Sequence, residues 1–323
     1  MSHPVTRRPS VLKMRTTLIV ALIGISTLPI AGQRAAGFKG DLQGTWSNGT
    51  ITPLERPADL AQQTYLSPAE ASEYERTWLE NFRKNFSAED LMAPDLDYTF
   101  MDQEKVVPSR RTSLVTDPPD GRLPALLPAA KARSDARPKR SNDDPEMMGM
   151  AERCLMETSF GASPSSPPLV PSPFGQNYYQ IVQTPTHVVI LSELIHDARI
   201  VRIGGRHVPP AMQSWLGDSI GRWEGNTLVV DTTNFSDRTH FRSSGLRLHV
   251  VERFTRTSES AIDYTFTADD PDTWATPWSA EVPFHAVSDP MYEYACHEAN
   301  YSMTNVLRGA RAGERTDPAL PRP

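Results

Sequence analysis

Only two cysteines occur in 323 residues, lysine is sparse, and no apolar run is long enough to cross a membrane. Two cysteines exclude a disulfide-dense scaffold and a four-cysteine zinc site. The longest apolar run, Leu18 to Ile30, has about 13 residues, whereas a spanning helix needs about 20. No phosphate loop or dinucleotide fingerprint is found, and no nucleophile elbow is expected. His297-Glu298 is not followed by histidine at the zinc-protease spacing, because Tyr301 stands there. These absences leave acid–base side chains as the means of any catalysis, with no cofactor and no metal expected.

Against these gaps stand a 38% apolar content, which is too high for a disordered chain, and 29 prolines, which point to many ordered loops. Residues 1–36 have the parts of a secretory signal. A basic head of Arg7, Arg8, Lys13 and Arg15 precedes the apolar run, and Ala31, Gly32, Ala35 and Ala36 follow it. Translation starting at Met14 would leave a more compact signal. The expected location is therefore outside the cytoplasm, periplasmic or secreted, with no stable membrane insertion. The net charge is −6, and loss of the basic head makes the mature chain more acidic. An acidic protein repels phosphate backbones, so nucleic acid is not an expected partner.

Cys154 and Cys296 both lie beyond the signal. In an oxidising compartment two lone cysteines in one domain pair, which predicts a disulfide closing a loop of about 140 residues. The competing reading is a thiolate supported by Arg153 or His297.

Residues 37–311 are expected to form a single domain, mainly β with accessory helices (α+β), with 312–323 as a frayed tail. Gly44-Thr45-Trp46 resembles the first-strand motif of lipocalin-type barrels. Ser67-Pro68-Ala69-Glu70 reads as a capping box around an N1 proline, followed by Ala71, Tyr74, Trp78, Phe82 and Phe86 on one helical face. Residues 117–145 and 161–173 read as surface loops. From Asn177 the period becomes strand-like. Tyr178–Gln183, His187–Glu193, Arg199–Ile203, Ser219–Trp223, Thr227–Thr233, Leu246–Thr257, Ala261–Ala268 and Trp278–Phe284 predict consecutive antiparallel strands. Such strands need closure, which suggests a curved antiparallel sheet or a calycin/lipocalin-like barrel with helices capping an open side. A last helix is expected from Asp289-Pro290, stopping near Gly309.

The stretches WLGDSIGRWEGNTLVVDTTNF (215–235), LHVVERFTR (248–256) and YEYACHEANYSMTNVLRGAR (292–311) resemble a large set of uncharacterised exported bacterial proteins. The resemblance covers most of the mature chain. It implies export and a shared β-rich fold, and it carries no activity.

Strand alternation sorts the candidate site residues. Leu246, Leu248, Val250, Glu252 and Phe254 share one face of their strand, while Arg247, His249, Val251 and Arg253 share the other. A carboxylate at Glu252 among apolar neighbours suits a general acid or base, or else a structural ion pair with an arginine. On the expected C-terminal helix, Glu293 and His297 would sit four apart, a carboxylate orienting an imidazole, with Tyr294 and Tyr301 nearby. Glu193, His196 and Asp197 form a weaker group at a strand end, and Asp231 is a candidate partner for a histidine. The catalytic set is therefore His297, Glu293 and Glu252. Substrate contacts fall to His249, Arg253, Asp231, Trp223, Tyr294 and Tyr301. The expected function is to hold a hydrophobic or aromatic small molecule and to act as a lyase, isomerase or hydrolase. The alternatives are a non-catalytic carrier and an envelope interaction protein.

Overall fold

The computed structural model describes residues 40–85, 105–137, 143–156, 163–172, 175, 177–238, 241–298 and 300–316. The signal-like segment and Phe86 lie outside them. The strands are β1 (Gly44–Ser47), β2 (Val115–Asp117), β3 (Tyr178–Gln183), β4 (His187–Ser192), β5 (Ala198–Ile203), β6 (Asp218–Glu224), β7 (Thr227–Thr233), β8 (His249–Arg256), β9 (Ala261–Asp269), β10 (Trp278–Glu281) and β11 (Phe284–Ala286). They hydrogen-bond in the order β11-β1-β3-β4-β5-β6-β7-β8-β9-β10-β2, and β11 also pairs with β9. That last pairing closes nine strands, all but β2 and β10, into a barrel. Closure removes the exposed strand edges that such a meander would leave.

Strands β10 and β11 share one edge of β9. Trp278–Glu281 pairs with residues 265–268, and Phe284 with Ile262. Pro283 stands between them. It has no N–H for the ladder, so the break falls there, and the chain past it turns to meet β1 at Trp46 and Ser47.

The strand expectations match these elements to within a few residues, with two corrections. Trp278–Phe284, expected as one strand, is divided between β10 and β11. The strands are not all antiparallel, because β5 and β6 run parallel. Residues 204–217 separate them, and a connection of that length carries the chain back to the same end of the barrel, which a tight hairpin turn does not do. Inside the barrel, alternation places Trp46, Tyr179, Val188, Val201, Leu228, Val230, Val250, Phe254, Tyr264 and Phe284 in one fully buried cluster. Phe254, Tyr264 and Phe284 pack ring on ring with centroids 4.6–6.2 Å apart, a geometry favoured by ring quadrupoles.

The capping box forms as read. The Ser67 amide donates to Glu70 Oε2 at 2.7 Å, and the Glu70 amide donates to Ser67 Oγ at 3.3 Å. It starts α1 (Pro68–Asn85), which buries Ala71 and Phe82 and stacks Trp78 on Phe82. The excursion at 117–145 holds more structure than expected: its first residue ends β2, and Pro128–Asp135 forms α2.

The described part of the 161–173 loop is buried, not superficial. Its leucine amide, Leu169 N–H, donates to the Tyr264 hydroxyl at 2.9 Å, and Ser192 Oγ donates to the Pro164 carbonyl at 3.2 Å. The small serines and prolines of this loop let it fold inward, where a charged loop would have stayed in solvent. The C-terminal helix α3 (Tyr301–Thr316) starts twelve residues after Asp289 and runs through Gly309. The cap signal at Asp289-Pro290 lost to the disulfide, which fixes residue 296 in a non-helical turn. Gly309 meets open space and keeps a helical backbone, at a cost of about 1 kcal/mol relative to alanine.

Candidate functional site

Strand β8 presents candidate residues on both faces. Glu252 points inward and is fully buried. Arg199, on β5 across the lumen, grips it with two hydrogen bonds of 2.6 and 3.1 Å, and the Tyr264 hydroxyl donates to its Oε1 at 2.8 Å. Burial, with the Glu252 charge beside it, holds the Tyr264 hydroxyl well above its usual range. Arg199, Tyr179, Phe254 and Tyr264 around Glu252 are themselves buried. The Arg199–Glu252 pair realises the structural alternative weighed for Glu252.

The outward face carries a different arrangement. Arg202 on β5, Asp218 on β6, Asp231 on β7 and His249 on β8 form a diagonal row. The register explains it: Arg202 faces Ile220, Asp218 faces Thr233 and Asp231 faces Val251. Each polar residue is thus two positions from its neighbour's direct partner, on the same face, within reach of long side chains. His207, from the loop before β6, fills the gap in the row. Its Nδ1 lies 2.8 Å from Asp218 Oδ2 and its Nε2 lies 3.0 Å from Asp231 Oδ1. His249 Nε2 lies 3.0 Å from the same Asp231 oxygen. Gly217 makes the entry into β6 feasible. It has φ of +69°, and a Cβ there would stand 2.7 Å from the Thr233 carbonyl.

The electrostatics of the row are cooperative. Partial burial alone would raise the Asp218 carboxyl. Hydrogen bonds from Arg202, at 2.7 and 3.1 Å, from His207 and from the Val208 amide instead bring it down to about 2. The hydrogen bond from His249 is the main cause that lowers Asp231, and the bond to Asp231 in turn raises His249. Asp269, the cross-strand partner of His249, adds to that rise. An ionised carboxylate only accepts hydrogen bonds, so His207 satisfies both of its aspartates at once only with both ring nitrogens protonated. His249 differs: with Nε2–H given to Asp231, its Nδ1 has no partner among the described residues, and its side chain is 41% exposed. An imidazole oriented by a carboxylate, with its second nitrogen open, is a proton acceptor and donor.

The third grouping surrounds the disulfide, which forms between Cys154 and Cys296 as expected. Glu293 and His297 are not on a helix, which corrects the four-residue pairing expected of them; no hydrogen bond joins their side chains among the described residues. They instead line a cleft of about 230 Å³ with His196, Tyr294, Cys154 and Cys296. The Tyr294 amide donates to His196 Nε2 at 2.7 Å, and the Tyr292 amide donates to Glu193 Oε1 at 3.3 Å. The structure thus brings the Glu293–His297 segment, expected to be catalytic, against the weaker Glu193, His196 and Asp197 group. Burial raises Glu193, and raises Asp197 to about 6. Ile195 and His196 hold φ of 64° and 59° in succession, a conformation that costs non-glycine residues energy.

The remaining candidates are dispersed. Arg253 pairs with Glu224 at 2.9 Å on the outer surface. Trp223 is half-buried and packs against the core. Tyr301 is exposed at the start of α3. His207 and Asp218 were missed by sequence reasoning, because nothing in a loop histidine eleven residues from an aspartate marks them as partners. A further signal was passed over: Gly217-Asp218-Ser219-Ile220-Gly221 has the Gly-x-Ser-x-Gly spacing. Ser219 lies within β6, buried and hydrogen-bonded to Thr232 Oγ1 at 2.9 Å. A nucleophile elbow needs a sharp strand-to-helix turn that exposes the serine, so the match is fortuitous.

No group of three or more histidine, cysteine, aspartate or glutamate side chains suited to a metal ion occurs among the described residues. Among the same residues no helix is long and apolar enough to cross a membrane. That feature and the disulfide are compatible with an exported protein, and the β-barrel is consistent with small-molecule binding. Comparisons of the chain with protein-family models, curated proteins and solved structures gave no match.

Proposed function

We propose that this is an exported protein that performs cofactor-free proton transfer on a small molecule, a lyase, isomerase or hydrolase step, at the outer face of β6, β7 and β8. His249 is the base and acid, Asp231 orients it, and His207 with Asp218 fixes Asp231. One observation carries this reading: Asp231 Oδ1 holds His249 Nε2 at 3.0 Å, while Nδ1 has no partner among the described residues and the side chain is 41% exposed. Inside the barrel the aromatic cluster and the Arg199–Glu252 pair are sealed from solvent, whereas the His249–Asp231 pair is half-exposed. The chemistry is therefore assigned to the surface.

The test is mass spectrometry of small-molecule extracts incubated with the purified protein, wild type against His249→Asn and His297→Ala. Product masses that grow with time and fall by about 10²–10⁴ in His249→Asn are expected. Turnover that survives in His249→Asn and disappears in His297→Ala would move the site to the disulfide cleft. A compound retained at fixed stoichiometry without product would make the protein a carrier.

A further inference from the structure

A second cleft, of about 360 Å³, opens where α2 meets the ends of β7, β8 and β9, lined by Arg133, Arg137, Ser244, Leu246 and Arg247 with Asp237, Asp270 and Asp272. Its acidic groups are largely committed. Asp270 is buried and accepts from the Gly245 amide, the Asp272 amide and the Thr273 hydroxyl at 2.8–3.0 Å. Asp272 pairs with Arg247 at 3.1 Å. Arg133 donates to the Asp272 carbonyl at 3.0 Å and to Thr273 Oγ1 at 3.3 Å.

Arg137 is the exception. Its guanidinium is half-buried and has no acidic partner among the described residues, with burial and the Arg133 charge both disfavouring its protonated form. The cleft also contains a second unsatisfied group: Ser244 is fully buried and its hydroxyl makes no hydrogen bond among the described residues. The two residues preceding it, Arg242 and Ser243, hold φ of 50° and 70°. Strain of this kind persists where the surrounding structure enforces it, often at ligand sites.

We infer that this cleft binds the oxyanion of a small organic acid. A carboxylate or phosphate would supply the charge Arg137 lacks, in the planar two-point geometry a guanidinium favours, and could accept from the Ser244 hydroxyl. Leu246, 51% exposed at the rim, offers an apolar contact to the remainder of the molecule. Arg247 precedes His249 by two residues, at most about 7 Å of chain, so the cleft lies near that imidazole. That this acid is what His249 acts upon rests on the function proposed above; its binding does not.

The experiment is NMR-monitored titration of the whole mature protein with benzoate and, separately, with inorganic phosphate. Arg137→Gln, Arg247→Gln and His249→Asn are compared with wild type, and folding is checked by thermal melts. Saturable binding of benzoate with shifts at Gly245 and Leu246, weakened about tenfold or more in Arg137→Gln and retained in His249→Asn, is expected. Retention in His249→Asn together with no turnover in any variant would leave the anion site standing and remove the catalytic reading. Phosphate binding without benzoate binding overturns the organic-acid assignment. Equal binding in wild type and Arg137→Gln, or none of either anion at 10 mM or so, overturns the site.

Discussion

Strand β8 sends Glu252 into the barrel and His249 out of it, three residues apart. Each is hydrogen-bonded to a partner side chain, Glu252 to Arg199 at 2.6 and 3.1 Å and His249 to Asp231 at 3.0 Å, yet their surroundings assign them different work. The Arg199–Glu252 pair is sealed, with side chains 4% and 0% exposed. The His249–Asp231 pair keeps 41% and 30% of its side-chain surface. A buried pair repays its desolvation only through geometry, and then holds the fold against the loss of either partner. A half-exposed pair contributes little to stability and keeps one nitrogen for a visitor. Hydrogen-bonded polar pairs on one strand thus become structure on one face and candidate chemistry on the other, and strand alternation decides which face each occupies.

The sharpest way to break this contrast is to remove the inner carboxylate. Glu252→Ala leaves the Arg199 charge buried without its partner and should cost about 3–5 kcal/mol in denaturant unfolding. The double variant Arg199→Met, Glu252→Leu should recover most of that loss, since an apolar pair suits the surrounding aromatic cluster. A cost for Glu252→Ala below about 1 kcal/mol would mean the pair is not what secures the lumen.

Replacing Cys154 and Cys296 by serine should cost about 2–4 kcal/mol, because the bridge closes a long loop in the unfolded chain. The His249 titration should stay unchanged, because the outer row draws no residue from the disulfide cleft. A shifted titration would join two regions that are described here as separate. Tyr264→Phe comes next in size, at about 1–3 kcal/mol by thermal or chemical melts. It removes a donor to Glu252 and strands the Leu169 amide inside the barrel.

Much of this contrast was legible in the sequence, for physical reasons that can be named. Alternation on 246–256 assigned Glu252 and His249 to opposite faces correctly, because a period of two survives any tertiary detail. Only Leu246 departs from it, since it precedes the strand and lies exposed. The capping box at Ser67 and the adjacent strands Ser219–Trp223 and Thr227–Thr233 were readable because their signals are local. Register was not readable. That Asp231 meets His249, and that Arg199 crosses to Glu252, depends on pairings across four strands and on a parallel step between β5 and β6. The C-terminal helix shows the reverse failure: a sound local signal at Asp289-Pro290 was overruled by a covalent tie at Cys296. His207 had no local signature at all, because its role exists only once the loop folds back across β6 and β7.

The smallest effect is also the one most specific to the outer row. Asp231→Asn removes the charge that His249 and His207 both face, and it should change stability at neutral pH by less than about 1 kcal/mol, given the exposure of both partners. Its signature is the pH dependence. In the wild type the folded His249 titrates above its ordinary value of 6.5. Its contribution to stability is therefore fully present below about pH 6.5 and disappears as pH rises through the folded value. Asp231, lowered from 3.8, contributes above about pH 4 and loses that contribution on acidification. The pair therefore stabilises most in the mildly acidic interval between them. In Asp231→Asn the histidine, followed by its ring-proton NMR shifts, should titrate lower, with only Asp269 left to support it, and the acidic interval of extra stability should flatten. Should His249 titrate unchanged in that variant, Asp231 does not orient it, and the outer row becomes as purely structural as the inner pair.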